Sequence, residues 1–239
     1  MTINMNRCLF HSIAPLNYNY NKNQPSLTEA RGKRLQAFLD TGYLLPGKDI
    51  PESYSSSEFV YFALTYKSEI KNANATFDWD FSAWEHHIVG NPALVFDERI
   101  LTLGPLGTNH GLSEEVTIQS KIPIQNMIAI TMPTETPLDI IRRYQELFQL
   151  SPVEKEINDI LGIYESTKNQ LTETIQNILT NPTKAITDSY EEIMYYQSIL
   201  KNNNIDVPFI RHNGIIYSQE EDLKTIQAEK ESIKILMKK

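Results

Sequence analysis

Three kinds of side chain in the first half of this chain could do chemistry together: an imidazole, a phenol and a carboxylate. His11 ends the apolar run RCLFHSI, Tyr61 lies within SSSEFVYFAL, and the pair Glu114 and Glu115 opens EEVTIQS. A carboxylate can stabilise positive charge that develops in a transition state, an aromatic ring can stack on a flat ligand, and an imidazole can hydrogen-bond a hydroxyl. Each residue alone has an ordinary structural explanation, so their order along the chain is the informative feature.

Short β-like runs that are separated by turn residues must position these side chains. Apolar and alternating patterns before residue 135 predict five strands, over residues 8–13, 59–64, 93–96, 115–118 and 127–131. One helix interrupts them, with Ser26 and Glu29 as capping-box residues and Gly42 where a helix would end. The first half is therefore predicted to be a β-sheet with one helix.

After residue 135 the pattern becomes helical. Apolar residues at three- and four-residue steps predict a short helix over 138–150, a long helix that ends at Asn181–Pro182, and a further helix from about residue 182 to 200. Asn-Gly between β-forming residues predicts a hairpin over 208–217, and Ser218 begins a final charged helix. The whole chain is therefore expected to be an α+β protein.

The composition restricts the classes of protein to consider. The chain has 239 residues, of which 41% are hydrophobic, enough for one core and a smaller satellite. Its net charge of −8 predicts no nucleic-acid partner, because such binding needs Lys and Arg to neutralise phosphates. The single cysteine, Cys8, cannot form an internal disulfide. We also expect no membrane span and no cleaved signal peptide, since no apolar run is long enough and the N-terminus lacks an apolar segment.

Further histidines invite a metal or substrate interpretation. His86 and His87 lie beside Trp84 and Glu85, but no second ligand pair at useful spacing accompanies them. We therefore expect no metal. His110 lies close in sequence to the paired glutamates and could line the same cleft.

The order of these runs resembles the catalytic core of the diphtheria-toxin and poly(ADP-ribose) polymerase branch of ADP-ribosyltransferases. LFHSI is similar to that branch's histidine strand, RLQAFLDTGYLLPG to the helix and turn that follow, and VYFAL to its tyrosine strand. PALVFDERIL is similar to its central strand, and EVTIQSKIPIQNMIAI to the catalytic-glutamate strand with its Ile-Pro turn and final strand. The match covers about residues 7 to 132. It implies a split antiparallel β-sheet core over residues 1–134, followed by a mainly helical region with a short hairpin over residues 135–239.

The resemblance implies a catalytic carboxylate at Glu115, with Glu114 as the alternative. Cleavage of the bond between nicotinamide and ribose creates an oxocarbenium-like cation. A carboxylate that holds the ribose hydroxyl stabilises that transition state more than the ground state. Nicotinamide leaves without being protonated, so positioning and electrostatics would supply most of the rate.

The resemblance also implies four residues that bind NAD, which is a substrate here. Tyr61 would stack on the nicotinamide, with Tyr66 as a second plate. His11 would hydrogen-bond a ribose hydroxyl or the carboxamide, and Ser12 would contact NAD at the turn after it.

The implied function is that of a secreted bacterial effector, which transfers ADP-ribose from NAD to a host protein and releases nicotinamide. The C-terminal segment SQEEDLKTIQAEKESIKILMKK is similar to a type IV secretion signal, although an ordinary amphipathic helix explains it equally well. The expected location is the host-cell cytoplasm. The expected partners are a host acceptor and a secretion chaperone or the type IV machinery. The helical half would bind the target or cover the NAD cleft.

Other functions stay open at this point. An arginine ADP-riboxanase or an NAD glycohydrolase would use the same fold, and a non-catalytic binding module would use the apolar stripes of the helices to engage a host protein. The arginine-first class of transferases fits less well. Ser113 replaces the glutamate expected two residues before Glu115, and Arg7 lies upstream of His11.

Overall fold

The computed structural model describes residues 7–13, 26–46, 59–66, 91–107, 115–150, 153–154, 156, 163–211 and 215–238, with the backbone alone for Arg7, Tyr61, residues 63–66, Glu115 and Ile163. Glu114, Ser113, His110 and residues 84–87 lie outside the described residues. The strands are β1 (Arg7–Ser12), β2 (Tyr43–Leu44), β3 (Val60–Tyr66), β4 (Ala93–Asp97), β5 (Glu115–Ile118), β6 (Ile122–Pro123), β7 (Met127–Thr131) and β8 (Phe209–Ile210). The α-helices are α1 (Leu27–Thr41), α2 (Pro137–Gln149), α3 (Ile163–Thr180), α4 (Pro182–Asn202) and α5 (Gln219–Leu236). The protein is therefore a mixed α and β protein.

The main sheet has six strands in the order β5-β3-β1-β4-β7-β8. Its neighbouring strands are antiparallel except β7 and β8, which are parallel. All five strands predicted from the sequence are confirmed, and β5 and β7 have the predicted bounds. The strand that the sequence did not predict in this sheet is β8.

Helix α1 begins and ends where its sequence predicts. The Ser26 side chain accepts a hydrogen bond from the Glu29 backbone N–H at 3.2 Å, and Gly42 adopts a left-handed conformation with φ of 69°. The Gly42 N–H donates to the carbonyls of Phe38 and Leu39, which satisfies the end of the helix. The chain then enters β2, which pairs with β6 in a separate two-stranded sheet.

The two sides of the main sheet have different neighbours. Because successive residues of a strand face opposite sides, His11 and Phe62 share one side, and both of their rings are buried. Helix α1 packs there, since the rings of Phe38 and His11 are 5.5 Å apart. The other side carries an apolar cluster of Cys8, Phe10, Ala93, Val95, Ala129 and Ile210.

The chain divides into two compact units. Unit 1 comprises Met1–Pro133 and Ile193–Tyr217, and unit 2 comprises Thr134–Glu192 and Ser218–Lys239. The first segment of unit 1 ends close to the boundary expected at residue 134. The second segment, Ile193–Tyr217, belongs to the same unit and adds β8 to the main sheet. The predicted hairpin is present, because Arg211 N–H donates to the Ile215 carbonyl and Tyr217 N–H donates to the Phe209 carbonyl, both at 2.8 Å.

Unit 2 is helical, as the periodicity predicts. Thr136 and Asp139 form a reciprocal capping box at the start of α2, and Ser218 caps α5 by accepting from the Glu221 N–H. The apolar side of α5 is buried at Ile226 and Ile233. None of the described helices combines the length and the apolar character needed to cross a membrane.

Candidate active site

Adjacent strands of unit 1 carry the residues that the resemblance selects. The backbone of Tyr61 in β3 pairs with Thr117 in β5, and Ala63 pairs with Glu115. Tyr61 and Glu115 are therefore diagonal neighbours on adjacent strands, a relation that places Cα atoms about 7–8 Å apart.

The register also shows which predicted residues share a side of the sheet. Phe10 pairs with Ala63, and Ala63 pairs with Glu115. Residues two apart on one strand have the same phase of the pleat. One side of the sheet therefore carries one predicted position from each of the neighbouring strands β1, β3 and β5: Ser12, Tyr61 and Glu115. The backbone brings these three predicted positions to the same side.

His11 has the opposite phase from Ser12, because the two residues are consecutive in one strand. It is 6% exposed, and its ring lies 5.5 Å from the ring of Phe38 and 5.7 Å from that of Phe62. These contacts place His11 between helix α1 and the sheet. The register does not bring it to the side of the sheet that Ser12, Tyr61 and Glu115 share.

Tyr66 lies at the far end of β3, where its backbone pairs with Arg7. It is five residues from Tyr61, which corresponds to about 17 Å along an extended strand. It also has the opposite phase. The register therefore does not bring the second predicted stacking residue to the position of the first.

The segment that precedes β5 returns along the outer edge of that strand. Gly107 N–H donates to the Thr117 carbonyl, and Gln119 N–H donates to the Pro105 carbonyl, both at 2.9 Å. A Cβ atom on Gly107 would come within 2.0 Å of Thr117 Oγ1 and 2.9 Å of the Phe59 ring. Glycine is thus required at this close approach to β5.

Cys8 is not suited to be a nucleophile in this site. It is 3% exposed, and burial, together with the nearby charges of Asp97 and Glu98, raises the pKa of its thiol to about 12. A thiol with that pKa is protonated near neutral pH, and only the thiolate reacts. Within the described ranges, no group of three or more His, Cys, Asp or Glu side chains is arranged to hold a metal ion.

The structure places two arginines of α1, which the sequence analysis missed, on the opposite side of the sheet from Ser12, Tyr61 and Glu115. Arg31 in α1 is 7% exposed, and its Nε donates to Asn91 Oδ1 at 3.1 Å. The guanidinium carbon of Arg34 lies 4.5 Å from the centroid of the Phe38 ring. The signal was present in the sequence, because Arg31 and Arg34 lie four residues before the apolar residues Leu35 and Phe38 and so share their stripe of the helix.

The chain is thus a mixed α and β protein. Its predicted carboxylate and phenol positions, Glu115 and Tyr61, lie on the same side of neighbouring strands. No known family model matches the chain, and no curated protein or solved structure has significant similarity to it.

Proposed function

We propose that this protein is an NAD-consuming ADP-ribosyltransferase that modifies a protein acceptor. The observation that carries the proposal is the shared phase of Ser12, Tyr61 and Glu115 on β1, β3 and β5. This strand order and register place three positions that the resemblance selects on the same side of neighbouring strands. The proposed fold is the split antiparallel core of that family.

Each residue has a role that follows from its chemistry. The carboxylate of Glu115 holds a hydroxyl of the nicotinamide ribose and stabilises positive charge at the anomeric carbon. Tyr61 stacks on the nicotinamide, and Ser12 hydrogen-bonds the substrate at the end of β1. The carbon–nitrogen bond breaks with its electron pair leaving on nicotinamide. The acceptor then adds to the carbon and loses its proton.

His11 takes a different role in this proposal from the one that the resemblance implies. Its ring is packed between Phe38 and Phe62, so it fixes α1 against the end of β1. In that position it is a positioning residue for Ser12, its neighbour in the strand.

The burial of His11 also favours a second candidate, a binding module without turnover. A core histidine does not contact substrate, and loss of its binding role would leave a transferase-like core without full catalytic machinery. Such a protein would act by contact alone.

The proposed setting is a bacterial effector that acts on a host protein in the host-cell cytoplasm. The C-terminal segment that resembles a secretion signal forms helix α5, whose Glu229 accepts two hydrogen bonds from Arg142 at 3.0 and 2.8 Å. This packing supports the ordinary-helix interpretation of the segment. The proposal that the protein is delivered into a host cell therefore rests on the resemblance of residues 7 to 132 to the catalytic core.

Release of nicotinamide from NAD by the purified protein with host-cell lysate tests the proposal. We expect release by the wild type and by Glu98→Gln, a charge-matched control at an exposed position of unit 1. Glu115→Gln should lower the rate by at least about 100-fold, as the loss of one electrostatic contact to a transition state does. Absence of release and of NAD binding in the wild type would favour the binding module. Activity lost in Glu114→Gln and kept in Glu115→Gln would move the catalytic role by one residue.

A further inference from the structure

Thr117 lies on the side of the main sheet that carries the proposed site. Its backbone pairs directly with that of Tyr61, and it follows Glu115 by two residues in β5. Residues directly opposite each other on antiparallel strands have their Cβ atoms about 4.5–5.5 Å apart on one side of the sheet. Thr117 is therefore the residue of β5 that lies nearest to the proposed stacking position.

The hydrogen bonding of β5 shows that this pair is of the closer kind. The Thr117 carbonyl accepts from Gly107 N–H at the outer edge of the strand, so it faces away from β3. Opposite residues in antiparallel strands alternate between hydrogen-bonded pairs and non-hydrogen-bonded pairs, and the side chains are closer in the second kind. Tyr61 and Thr117 thus form a non-hydrogen-bonded pair, with Cα atoms about 4.5 Å apart.

Gly107 and Phe59 enclose the Thr117 side chain on its outer side. A Cβ atom on Gly107 would lie 2.0 Å from Thr117 Oγ1, which places Oγ1 within about 3.5 Å of the Gly107 Cα atom. The Phe59 ring lies 2.9 Å from the same Cβ position, and Thr117 is 1% exposed. A β-branched side chain has few χ1 rotamers, and these neighbours leave Thr117 little room to change the one it has.

We infer that Thr117 is a positioning residue, which restricts the rotamer of Tyr61 so that the ring is ready to stack on nicotinamide. The inference rests on the proposed function, because it assigns a neighbour to the stacking residue of the same site. Ordering a side chain opposes binding, and a side chain that is already ordered avoids that cost. Stacking on nicotinamide is a contact made before the reaction, so its loss raises KM, whereas loss of the Glu115 carboxylate lowers kcat.

Steady-state kinetics of nicotinamide release separate these two effects. Thr117→Ala should raise KM for NAD by about fivefold and leave kcat within about twofold of the wild type. Gly107→Ala should raise KM as well, because its Cβ atom would force the Thr117 side chain to turn. Thr117→Ala only removes atoms, so it keeps the test available if Gly107→Ala does not fold.

Gly104→Ala is the matched control in the same segment. A Cβ atom there would lie 2.8 Å from Ser120 Cβ and 2.9 Å from the Gln119 carbonyl oxygen, an equally tight approach to the chain just after β5. This variant should lose stability, as Gly107→Ala does, and keep the KM of the wild type. Equal increases of KM in Gly104→Ala and Gly107→Ala, or a wild-type KM in Thr117→Ala, would overturn the inference.

NMR of the full chain with isotope-labelled tyrosine tests the positioning without any turnover. Three-bond couplings about χ1 of Tyr61, assigned with Tyr61→Phe, should report one rotamer in the wild type and in Gly104→Ala. They should be averaged over rotamers in Thr117→Ala, and unchanged couplings in that variant would overturn the inference. Averaged couplings in Thr117→Ala, beside a wild type that releases no nicotinamide, would refute the proposed transferase and leave the positioning of Tyr61 by Thr117 standing.

Discussion

The two units differ in the hydrogen bonding of their buried polar side chains. In unit 2, the buried polar residues of the described chain are hydrogen-bonded: Thr136 in its capping box, and Asp222, which accepts from Tyr190 Oη at 2.9 Å. In unit 1, Thr131 Oγ1 is buried without a hydrogen-bond partner. Thr131 pairs with Ala93, which pairs with Ser12, so the unsatisfied hydroxyl lies in the same row of the sheet as a proposed substrate contact. The buried polar side chains of unit 2 are thus hydrogen-bonded, whereas unit 1 buries one hydroxyl without a partner in the row of the sheet that contains Ser12.

Asp222→Ala should produce the largest change in stability. It leaves the Tyr190 hydroxyl buried without its acceptor, which costs about 1–3 kcal/mol. Asp222→Asn keeps an acceptor and should cost less, and Glu220→Ala, at an exposed position on the same helix, is the control. The midpoint of urea unfolding checks all three. An Asp222→Ala midpoint equal to that of Glu220→Ala would contradict the claim that hydrogen-bonded buried polar side chains stabilise unit 2.

Gly32→Ala should destabilise unit 1 although alanine favours helices by about 1 kcal/mol over glycine. A Cβ atom there would lie 2.5 Å from Tyr195 Cε1 and from its Oη, so the ring must shift, at a cost of about 1–3 kcal/mol. Thermal unfolding of Gly32→Ala in the wild type and in a Tyr195→Ala background measures the conflict. The sign should reverse, so that alanine stabilises once the ring is absent. The same sign in both backgrounds would show that the close approach of the Tyr195 ring to Gly32 does not affect the free energy of unfolding.

Asp97 should add an acid-sensitive contribution to the stability of unit 1. Burial alone would raise the pKa of this carboxyl, but hydrogen bonds from the side chain and backbone of Arg99 outweigh burial and hold the pKa below its ordinary value of 3.8. Because the folded pKa is the lower one, the stabilisation is present above the unfolded pKa and is lost as the pH falls through the folded value.

Asp97→Asn keeps an acceptor for the Arg99 backbone N–H but removes the charge beside the exposed Arg99 guanidinium, so it should cost less than about 1 kcal/mol at pH 7 and still less at pH 2. Unfolding midpoints at the two pH values check this. An equal loss at both would show that the charge of Asp97 contributes nothing.

Thr131→Val should have the smallest effect, and of the opposite sign. It replaces a buried hydroxyl that has no partner by a methyl group of similar size, so the free energy of unfolding should rise by up to about 1 kcal/mol. The control is Thr136→Val, which removes a bonded hydroxyl and should destabilise. Destabilisation by both variants would mean that Thr131 is satisfied in solution, and the contrast between the units would disappear.

Local signals predicted most of the elements. Ser26 and Gly42 bound α1, Ser218 starts α5, and apolar or alternating runs located all five strands, because caps and periodicity act over a few neighbouring residues. The addition of β8 to the sheet was not predictable in this way. It depends on pairing between Ile130 and Phe209, which are far apart in the chain.

The side of the sheet on which each candidate residue lies could not be predicted from the order of the residues along the chain. His11 and Ser12 are consecutive, so a sequence pattern treats them together, while the pleat separates them onto opposite sides of the sheet. The burial of Arg31 in α1 was not predicted either, because the helix was interpreted from its apolar residues. Only the contact with Asn91, 60 residues later, shows where this arginine is held.

Transfer of label from adenine-labelled NAD to protein in host lysate tests the central claim most directly. The account predicts labelled protein with the wild type and with Glu98→Gln. It also predicts a loss of at least about 100-fold in Glu115→Gln, because the carboxylate at that position stabilises the cation. Equal labelling by Glu115→Gln and the wild type, or nicotinamide release without labelled protein, would contradict the account.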